Sequence, residues 1–178
     1  YDSEVVRHLL IASHYRSPIN YSEDSLKLSV SALERFYIAL KDLNIEDAKA
    51  LTNSEFEKAF FKAMDDDFNT PEAFSVLFAM VTEINKQKAD NPDRANQLGA
   101  LLVKLGEILG VLQLAPESFL KGNVEVVDAE LVESLIVARK QARSNKDWVK
   151  ADELRDQLTA MRVVVEDGAD GSSWRIER

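Results

Sequence analysis

Residues 22–40, SEDSLKLSVSALERFYIAL, carry a pattern of apolar side chains from which the fold class follows. Apolar side chains recur in this stretch at alternating intervals of four and three residues, which is the spacing of one face of an α-helix. Ser22 is suited to cap the first turn, and the acidic Glu23 and Asp24 suit the positive end of the helix dipole. The stretch therefore predicts an amphipathic helix whose apolar stripe consists of Leu26, Val30, Leu33, Tyr37 and Leu40.

The sequence on both sides repeats this pattern. Residues 3–13 carry a similar stripe, and Pro18 breaks the helical pattern before the stretch begins. Helices that are joined by short loops and have one apolar stripe each predict an antiparallel helical bundle over residues 1–112. Start and stop signals of further helices are also present; they are Thr52, Thr70 and Asn91 for three starts and Gly110 for one end.

The C-terminal part of the chain has a different composition. Residues 113–127 lack a long period and predict a linker. Two short helices are predicted over residues 128–145, capped by Asp128, and over residues 147–161. The β-branched residues 163–165 and the turn residues that follow predict a β-hairpin, which must pack on the two helices because an isolated hairpin is marginal in water. The fold class is therefore mainly α, with a small α+β subdomain over residues 128–178. The side chains predicted to face inward from the first helix are Leu131, Leu135 and Ala138. Those predicted to share one side of the second helix are Trp148, Ala151, Leu154 and Leu158.

Charge and cysteine content exclude several classes of protein. The chain has 178 residues, a net charge of -9 and no cysteine, so disulfides and thiolate chemistry are excluded. Such an acidic balance argues against broad nucleic-acid backbone binding. Residues 136–162 nevertheless contain 7 basic and 4 acidic side chains, a local net charge of +3. No apolar run is long enough to span a membrane and no secretory signal is present, so we expect a cytoplasmic protein.

The sequence offers weak candidates for catalysis or metal binding. The acidic run 65–67 could bind a hard cation, but consecutive helical residues diverge, and a turn is the favoured interpretation. His8 and His14 are too far apart to share a helical face, and no cysteine joins them. No nucleophile elbow or glycine-rich phosphate loop is present. We therefore predict no catalytic residue and no metal site in this chain.

The junction of the two C-terminal helices combines cations, an aromatic ring and an acid. Trp148, Asp152 and Arg155 lie in or beside a cluster of basic residues. Unstacked RNA bases need a planar group to stack on, base edges need fixed donors and acceptors, and phosphates need cations. From residue types alone, the alternative that Trp148 is a core residue and the charges form a solvated face stays open. The basic residues of the cluster are Arg139, Lys140, Arg143, Lys146 and Lys150.

Segments spread over nearly the whole chain resemble one known family. They are 14–22 (HYRSPINYS), 63–71 (AMDDDFNTP), 138–140 (ARK), 146–148 (KDW), 151–152 (AD), 166–168 (EDG) and 171–175 (GSSWR). In this order they resemble the helical and C-terminal parts of bacterial cysteinyl-tRNA synthetases. Since the chain begins with Tyr1, we expect it to be part of a longer protein.

The resemblance implies a function and a set of contacting residues. It implies that residues 1–112 form the DALR-like bundle of a class I synthetase that supports tRNA, and that residues 128–178 read the GCA anticodon. ATP and zinc are implied for a catalytic domain that this chain lacks, so the chain should be inactive alone. We expect a monomer that binds the anticodon stem-loop of the tRNA for cysteine, but neither DNA nor a membrane. The residues that match the family's anticodon-contacting positions are Arg143, Trp148, Asp152, Arg155 and Asp167, with backbone contacts expected from Arg139, Lys140, Lys146 and Lys150.

Two other functions are compatible with the composition. The acidic bundle also suits a helical scaffold or protein-interaction domain without an RNA role, which would show no base preference among RNA hairpins. A self-contained enzyme is the third hypothesis, and it would form an adenylate from ATP and cysteine.

Overall fold

The computed structural model describes residues 1–121, 129–168 and 171–176, and at residues 129, 166–168, 171–173 and 176 it describes the backbone alone. The chain divides into two compact units, unit 1 (residues 1–116) and unit 2 (residues 117–178). Along the described chain, no helix is both long and apolar enough to cross a membrane.

Unit 1 is a bundle of amphipathic helices. The helices are α1 (Ser3–Ile11), α2 (Glu23–Leu40), α3 (Glu55–Asp65), α4 (Thr70–Asp90) and α5 (Pro92–Ile108). Helix α4 packs against both α3 and α5, while α1 packs on α2 and α2 contacts α4. The mainly helical fold class is thereby confirmed for this part of the chain.

The stripe read from residues 22–40 lies in the core of unit 1. All five of its side chains are buried, and Leu33 and Tyr37 are fully inaccessible to solvent. Ser22 caps α2, because its hydroxyl accepts a hydrogen bond from the Ser25 backbone N–H at 3.1 Å. Both the stripe and the cap of α2 are therefore confirmed. Other fully buried side chains of this core are Phe36, Phe60, Leu77, Met80, Ile84, Leu98, Leu101, Leu102 and Leu105.

Two of the predicted helix starts are wrong by one or two residues. Helix α3 is capped by Ser54, not Thr52, because Asn53 has a left-handed backbone (φ 56°) that a helix starting earlier could not contain. Helix α4 is capped by Asn69, whose side chain accepts from the Glu72 N–H at 3.2 Å, and Thr70 is the first helical residue.

The other two signals are confirmed. Asn91 caps α5, and its side chain accepts from the Arg94 N–H at 3.1 Å. Gly110 has φ 71°, and the N–H groups of Gly110 and Val111 return to the carbonyls of Glu107 and Gly106 to close the helix.

A buried polar cluster that the sequence pattern does not reveal ties α1 to α2 in unit 1. The Tyr37 hydroxyl donates to both carboxyl oxygens of Glu4 at 2.9 Å, and the Leu112 backbone N–H donates to the same carboxyl at 2.8 Å. Burial raises the pKa of the Tyr37 hydroxyl above its ordinary value, and the charge of Glu4 adds to this effect. Close by in sequence, burial lowers the pKa of His8 from 6.5 to about 4.

Unit 2 contains a short helix, a helical pair and a hairpin. They are α6 (Pro116–Lys121), α7 (Ala129–Ser144), α8 (Trp148–Ala160), β1 (Val163–Gly168) and β2 (Gly171–Ile176). Helix α7 packs on α8, and α8 packs on β1. The strands pair antiparallel, from Val163 opposite Ile176 to Gly168 opposite Gly171, so the predicted hairpin is confirmed. The predicted cap Asp128 lies outside the described residues.

The core of unit 2 is small and includes only part of the predicted inward side. Leu131 is 46% exposed, so its predicted burial is wrong, because the buried stripe of α7 passes through Val132 and Ile136 instead. Leu135 and Ala138 are partly buried against this core. The Trp174 indole is buried, and its N–H donates to the Glu133 carboxyl at 3.1 Å.

Trp148 differs in exposure from the residues with which it was predicted to share one side of the helix. Its side chain is 60% exposed, whereas Ala151, Leu154 and Leu158 on the same helix are buried. The α7–α8 junction is packed by the small Ala142 and Ala151, which leave no space for an indole between the helices.

Candidate nucleic-acid interface

A tight turn sets the ends of α7 and α8 side by side. The Lys146 N–H donates to the Arg143 carbonyl at 3.0 Å, and the Asp147 N–H donates to the Ala142 carbonyl at 2.9 Å. This pair of bonds is a Schellman motif, in which Lys146 takes the left-handed position with φ 59°. Asp147 then caps α8, because its carboxylate accepts from the Lys150 N–H at 3.1 Å. The turn therefore brings the last residues of α7 beside the first residues of α8.

An open cavity of about 200 Å³, here called the junction cavity, lies at this turn. Arg139 and Arg143 of α7 contribute one wall, since residues four apart share a helix face. Trp148, Asp152 and Arg155 of α8 contribute the other wall for the same reason. Four of the five side chains predicted from the resemblance, together with Arg139, thus converge on one concave surface.

Asp152 and Arg155 form an ion pair within the junction cavity. The Arg155 guanidinium lies 3.3 Å from the Asp152 carboxylate and 3.7 Å from that of Asp156. Their side chains are about 60% exposed, so the pair is screened by water and contributes little to stability. A ligand can therefore compete for the Asp152 carboxylate, while Arg155 restricts the orientation of that carboxylate.

Trp148 presents an aromatic face to solvent beside these charges. The indole lines the junction cavity and is not part of either hydrophobic cluster of unit 2 among the described residues. The alternative that Trp148 is a core residue is therefore wrong. An exposed indole next to guanidinium groups is the arrangement on which an unstacked base can stack.

The remaining predicted contact residues lie around the junction cavity or on the hairpin. Lys140, Lys146 and Lys150 are exposed on α7, the turn and α8. Asp167 is in β1, paired with Ser172 of β2, and only its backbone is described. Sequence reasoning did not include Arg162 among the site residues, although it follows α8 with a left-handed backbone (φ 57°). The sequence signal for Arg162 is its place directly after a helix, where glycine is usual.

The weaker candidates of unit 1 have structural roles. Asp67 accepts a hydrogen bond from the Tyr15 hydroxyl at 2.8 Å and lies 3.2 Å from the Arg16 guanidinium. The acidic run thus joins the α3–α4 turn to the segment after α1, and it does so through side chains, not only through the backbone groups expected of a turn. Among the described residues, no group of three or more His, Asp or Glu side chains is arranged to hold a metal ion.

Comparison with known proteins matches both units to families. Residues 59–113 match the DALR domain, and residues 129–175 match the cysteinyl-tRNA ligase anticodon binding domain. The chain is 51% identical over 177 residues to a cysteine–tRNA ligase of Shewanella amazonensis and covers 38% of that protein. It is 54% identical to the enzyme of the same name from Stutzerimonas stutzeri, again covering 38% of it.

A DALR domain followed by an anticodon binding domain defines the class of protein as aminoacyl-tRNA synthetase. The chain belongs to the cysteinyl-tRNA ligase family and carries the DALR and anticodon binding domains of that family. It spans 38% of the length of the curated relatives that it matches and corresponds to their C-terminal part.

Proposed function

We propose that this chain binds the anticodon stem-loop of the tRNA for cysteine and reads its bases through unit 2. The observation that carries the proposal is the junction cavity, which places an exposed indole, two guanidinium groups of α7 and an ion-paired carboxylate on one concave surface. This cavity lies within residues 129–175, which match the anticodon binding domain.

Each wall of the junction cavity suits a different part of a nucleotide. Guanine presents N–H donors on its Watson–Crick edge, and the Asp152 carboxylate can accept from them. Trp148 offers the plane on which a base stacks, and Arg143 offers a donor fork for a base edge or a phosphate. Arg155 acts on Asp152 through the 3.3 Å ion pair and holds the acceptor in place. We assign Asp167 to the same set on the resemblance alone.

The cations around the junction cavity suit the RNA backbone. Arg139, Lys140, Lys146 and Lys150 stand on α7, α8 and the turn between them, and the three lysines are exposed. Binding of each phosphate by such a group releases counterions from the RNA, so affinity should fall steeply as salt increases. An acidic protein with one local basic surface suits recognition of a single defined RNA feature.

The rest of the proposal concerns the longer protein. In it, residues 1–112 support the tRNA, residues 113–127 connect the two parts and residues 128–178 read the anticodon. The activity proposed for the whole protein is ATP-dependent attachment of cysteine to its tRNA, in the cytoplasm and as a monomer. The residues present here do not fit a zinc site, since the chain has no cysteine and the described residues form no metal-binding group. Zinc and ATP would therefore be held by residues outside this sequence.

Binding of RNA hairpins tests the proposal. We expect the chain to bind a hairpin with GCA in its loop more tightly than a hairpin with a changed loop, and salt should weaken both. Arg143→Ala and Asp152→Ala should each weaken binding of the GCA hairpin by roughly tenfold, as loss of a specific base contact does. Glu153→Ala on α8 and Arg94→Ala in unit 1 remove exposed charges elsewhere and should leave binding unchanged.

Two outcomes would contradict the proposal in different ways. If Arg143→Ala and Asp152→Ala both bind the GCA hairpin like the unaltered chain, the assignment of the junction cavity fails. If the unaltered chain shows no preference among hairpins, the scaffold hypothesis is favoured instead.

A further inference from the structure

A second cavity of about 230 Å³, here called the strand cavity, lies between α7, α8 and β1 in unit 2. Three arginines reach it from three segments of the chain: Arg139 from α7, Arg155 from α8, and Arg162 from the turn that precedes β1. Among the described residues that line it, none is acidic. The strand cavity therefore gathers three guanidinium groups on a concave surface, of which that of Arg155 also pairs with Asp152 and Asp156 outside the lining, and such a surface favours an anion.

The other lining residues of the strand cavity are mainly apolar. They are Leu158 and the three consecutive valines 163–165, with the hydroxyl-bearing Thr159. Successive side chains of a strand point to opposite faces, so three consecutive lining residues mean that the backbone edge of β1 also faces the cavity. A phosphate with an attached sugar fits such a surface, since its charge meets the arginines and its carbon atoms meet the valines.

Arg162 holds its place in spite of an unfavourable backbone. With φ 57° it occupies the left-handed position after α8, where its N–H donates to the Thr159 carbonyl at 2.9 Å. Glycine adopts this conformation without steric cost, and an arginine does not. Glycine would therefore suit this turn better than arginine does. The geometry of the turn does not explain why an arginine side chain is present.

The strand cavity is next to the junction cavity. Arg139 and Arg155 line both of them. A single RNA strand whose base lies in the junction cavity can therefore continue along these two arginines toward Arg162. We propose that the strand cavity binds the phosphodiester of a loop nucleotide that flanks the anticodon, with Arg162 as its principal contact. This inference rests on the proposed function and adds a backbone contact to it.

A charge substitution tests this contact. Arg162→Gln should weaken binding of the GCA hairpin and of a mismatched hairpin by the same factor, roughly fivefold, because a phosphate contact carries no base preference. The slope of log affinity against log salt should become shallower by about 0.7, the value for one single-strand phosphate contact. Arg94→Gln in unit 1 makes the same change in net charge at an exposed site and should alter neither quantity.

A second variant separates the contact from the fold. Arg162→Gly relieves the left-handed backbone and should melt no lower than the unaltered chain, yet it should lose the same affinity as Arg162→Gln. Hairpins that carry one neutral methylphosphonate at successive loop positions should identify the phosphate. At one position flanking the anticodon, the substitution should weaken the unaltered chain but not Arg162→Gln.

Different results would overturn the strand cavity assignment and the proposed function of the junction cavity. If Asp152→Ala loses base preference while both Arg162 variants bind like Arg94→Gln, only the strand cavity assignment is overturned. If the methylphosphonate effects are the same in Arg162→Gln as in the unaltered chain at every position, the phosphate contact is also overturned. If Asp152→Ala keeps the affinity and preference of the unaltered chain, the proposed function of the junction cavity fails first.

Discussion

The two units use their polar side chains in opposite ways. In unit 1, Glu4 and Tyr37 are buried and satisfy each other, and the Leu112 N–H completes the cluster. In unit 2, Trp148 is 60% exposed, and Asp152 stands in a cavity where it pairs with the exposed Arg155. A satisfied buried polar cluster stabilises a fold, whereas exposed groups with weak mutual pairing are available to a ligand.

The comparison predicts that stability and RNA recognition can be changed independently. Substitutions in the buried cluster of unit 1 should lower the free energy of unfolding and leave the affinity of the folded chain for RNA unaltered. Substitutions of the exposed side chains that line the junction cavity should weaken RNA binding and leave the free energy of unfolding unaltered.

Glu4→Ala should have the largest effect. It removes the acceptor of the Tyr37 hydroxyl and the Leu112 N–H, and both donors remain buried. Leaving such groups unsatisfied should lower the free energy of unfolding by about 3 kcal/mol. Urea denaturation measures the change, and Glu46→Ala, which truncates an exposed carboxylate of the same unit, should change stability by less than about 0.5 kcal/mol. Equal losses in the two variants would contradict the role of the cluster.

The stability of unit 1 should also depend on pH through His8. Burial lowers its pKa from 6.5 to about 4, so the unfolded chain binds the proton more readily than the folded chain. Stability should therefore be fully present above pH 6.5 and fall as the pH is lowered from 6.5 toward 4. The loss should approach about 3 kcal/mol at the acid end of this range.

His8→Leu provides the control for this pH dependence. The variant cannot titrate at this position, so its stability relative to the unaltered chain should rise as the pH falls over the same range. Thermal melting at a series of pH values measures the difference. A difference that stays constant between pH 7 and pH 4 would show that His8 does not titrate with a lowered pKa.

Trp148→Ala should affect recognition and not stability. Loss of a stacking surface should weaken binding of the GCA hairpin by roughly tenfold, the lower range for removal of one aromatic platform. Since the indole is exposed, the melting temperature should change little. Val149→Ala is the matched control. The Val149 side chain follows Trp148 in the sequence and is 72% exposed, but it does not line the junction cavity. Similar affinities for the two variants would exclude stacking on Trp148.

Lys146→Gly should have the smallest effect, and it should change stability and RNA affinity in opposite directions. Lys146 has φ 59°, which glycine adopts freely, so the variant should be more stable by about 0.5 kcal/mol. The same change removes a cation proposed to contact the RNA backbone and should weaken hairpin binding by roughly threefold at low salt. Unfolding and anisotropy titrations measure the two changes, and a gain in affinity would contradict the assignment of Lys146.

The helices and the hairpin were predictable because their signals are local. The stripe of residues 22–40, the caps Ser22 and Asn91 and the turn at Gly110 depend on neighbouring residues only. Thr52 was a wrong start because the left-handed backbone of Asn53 is not encoded by capping-box spacing.

Tertiary features were less predictable. The pairing of Glu4 with Tyr37 joins residues 33 positions apart, and no periodicity indicates it. The exposure of Trp148 depends on how closely Ala142 and Ala151 let α7 and α8 approach. The residue types of the candidate site were visible in the sequence, whereas their convergence on one cavity and the neighbouring position of Arg162 required the structure.

The central claim is that Asp152 in the junction cavity reads a base edge. The most direct test is the ratio of affinities for two hairpins that differ only in the anticodon guanine, replaced by adenine in the second, measured for the unaltered chain and for Asp152→Asn. We predict that the unaltered chain prefers the guanine hairpin by roughly tenfold or more, and that Asp152→Asn loses most of this preference while it remains folded. If both proteins prefer the guanine hairpin equally, or if the unaltered chain shows no preference, Asp152 does not read a base edge.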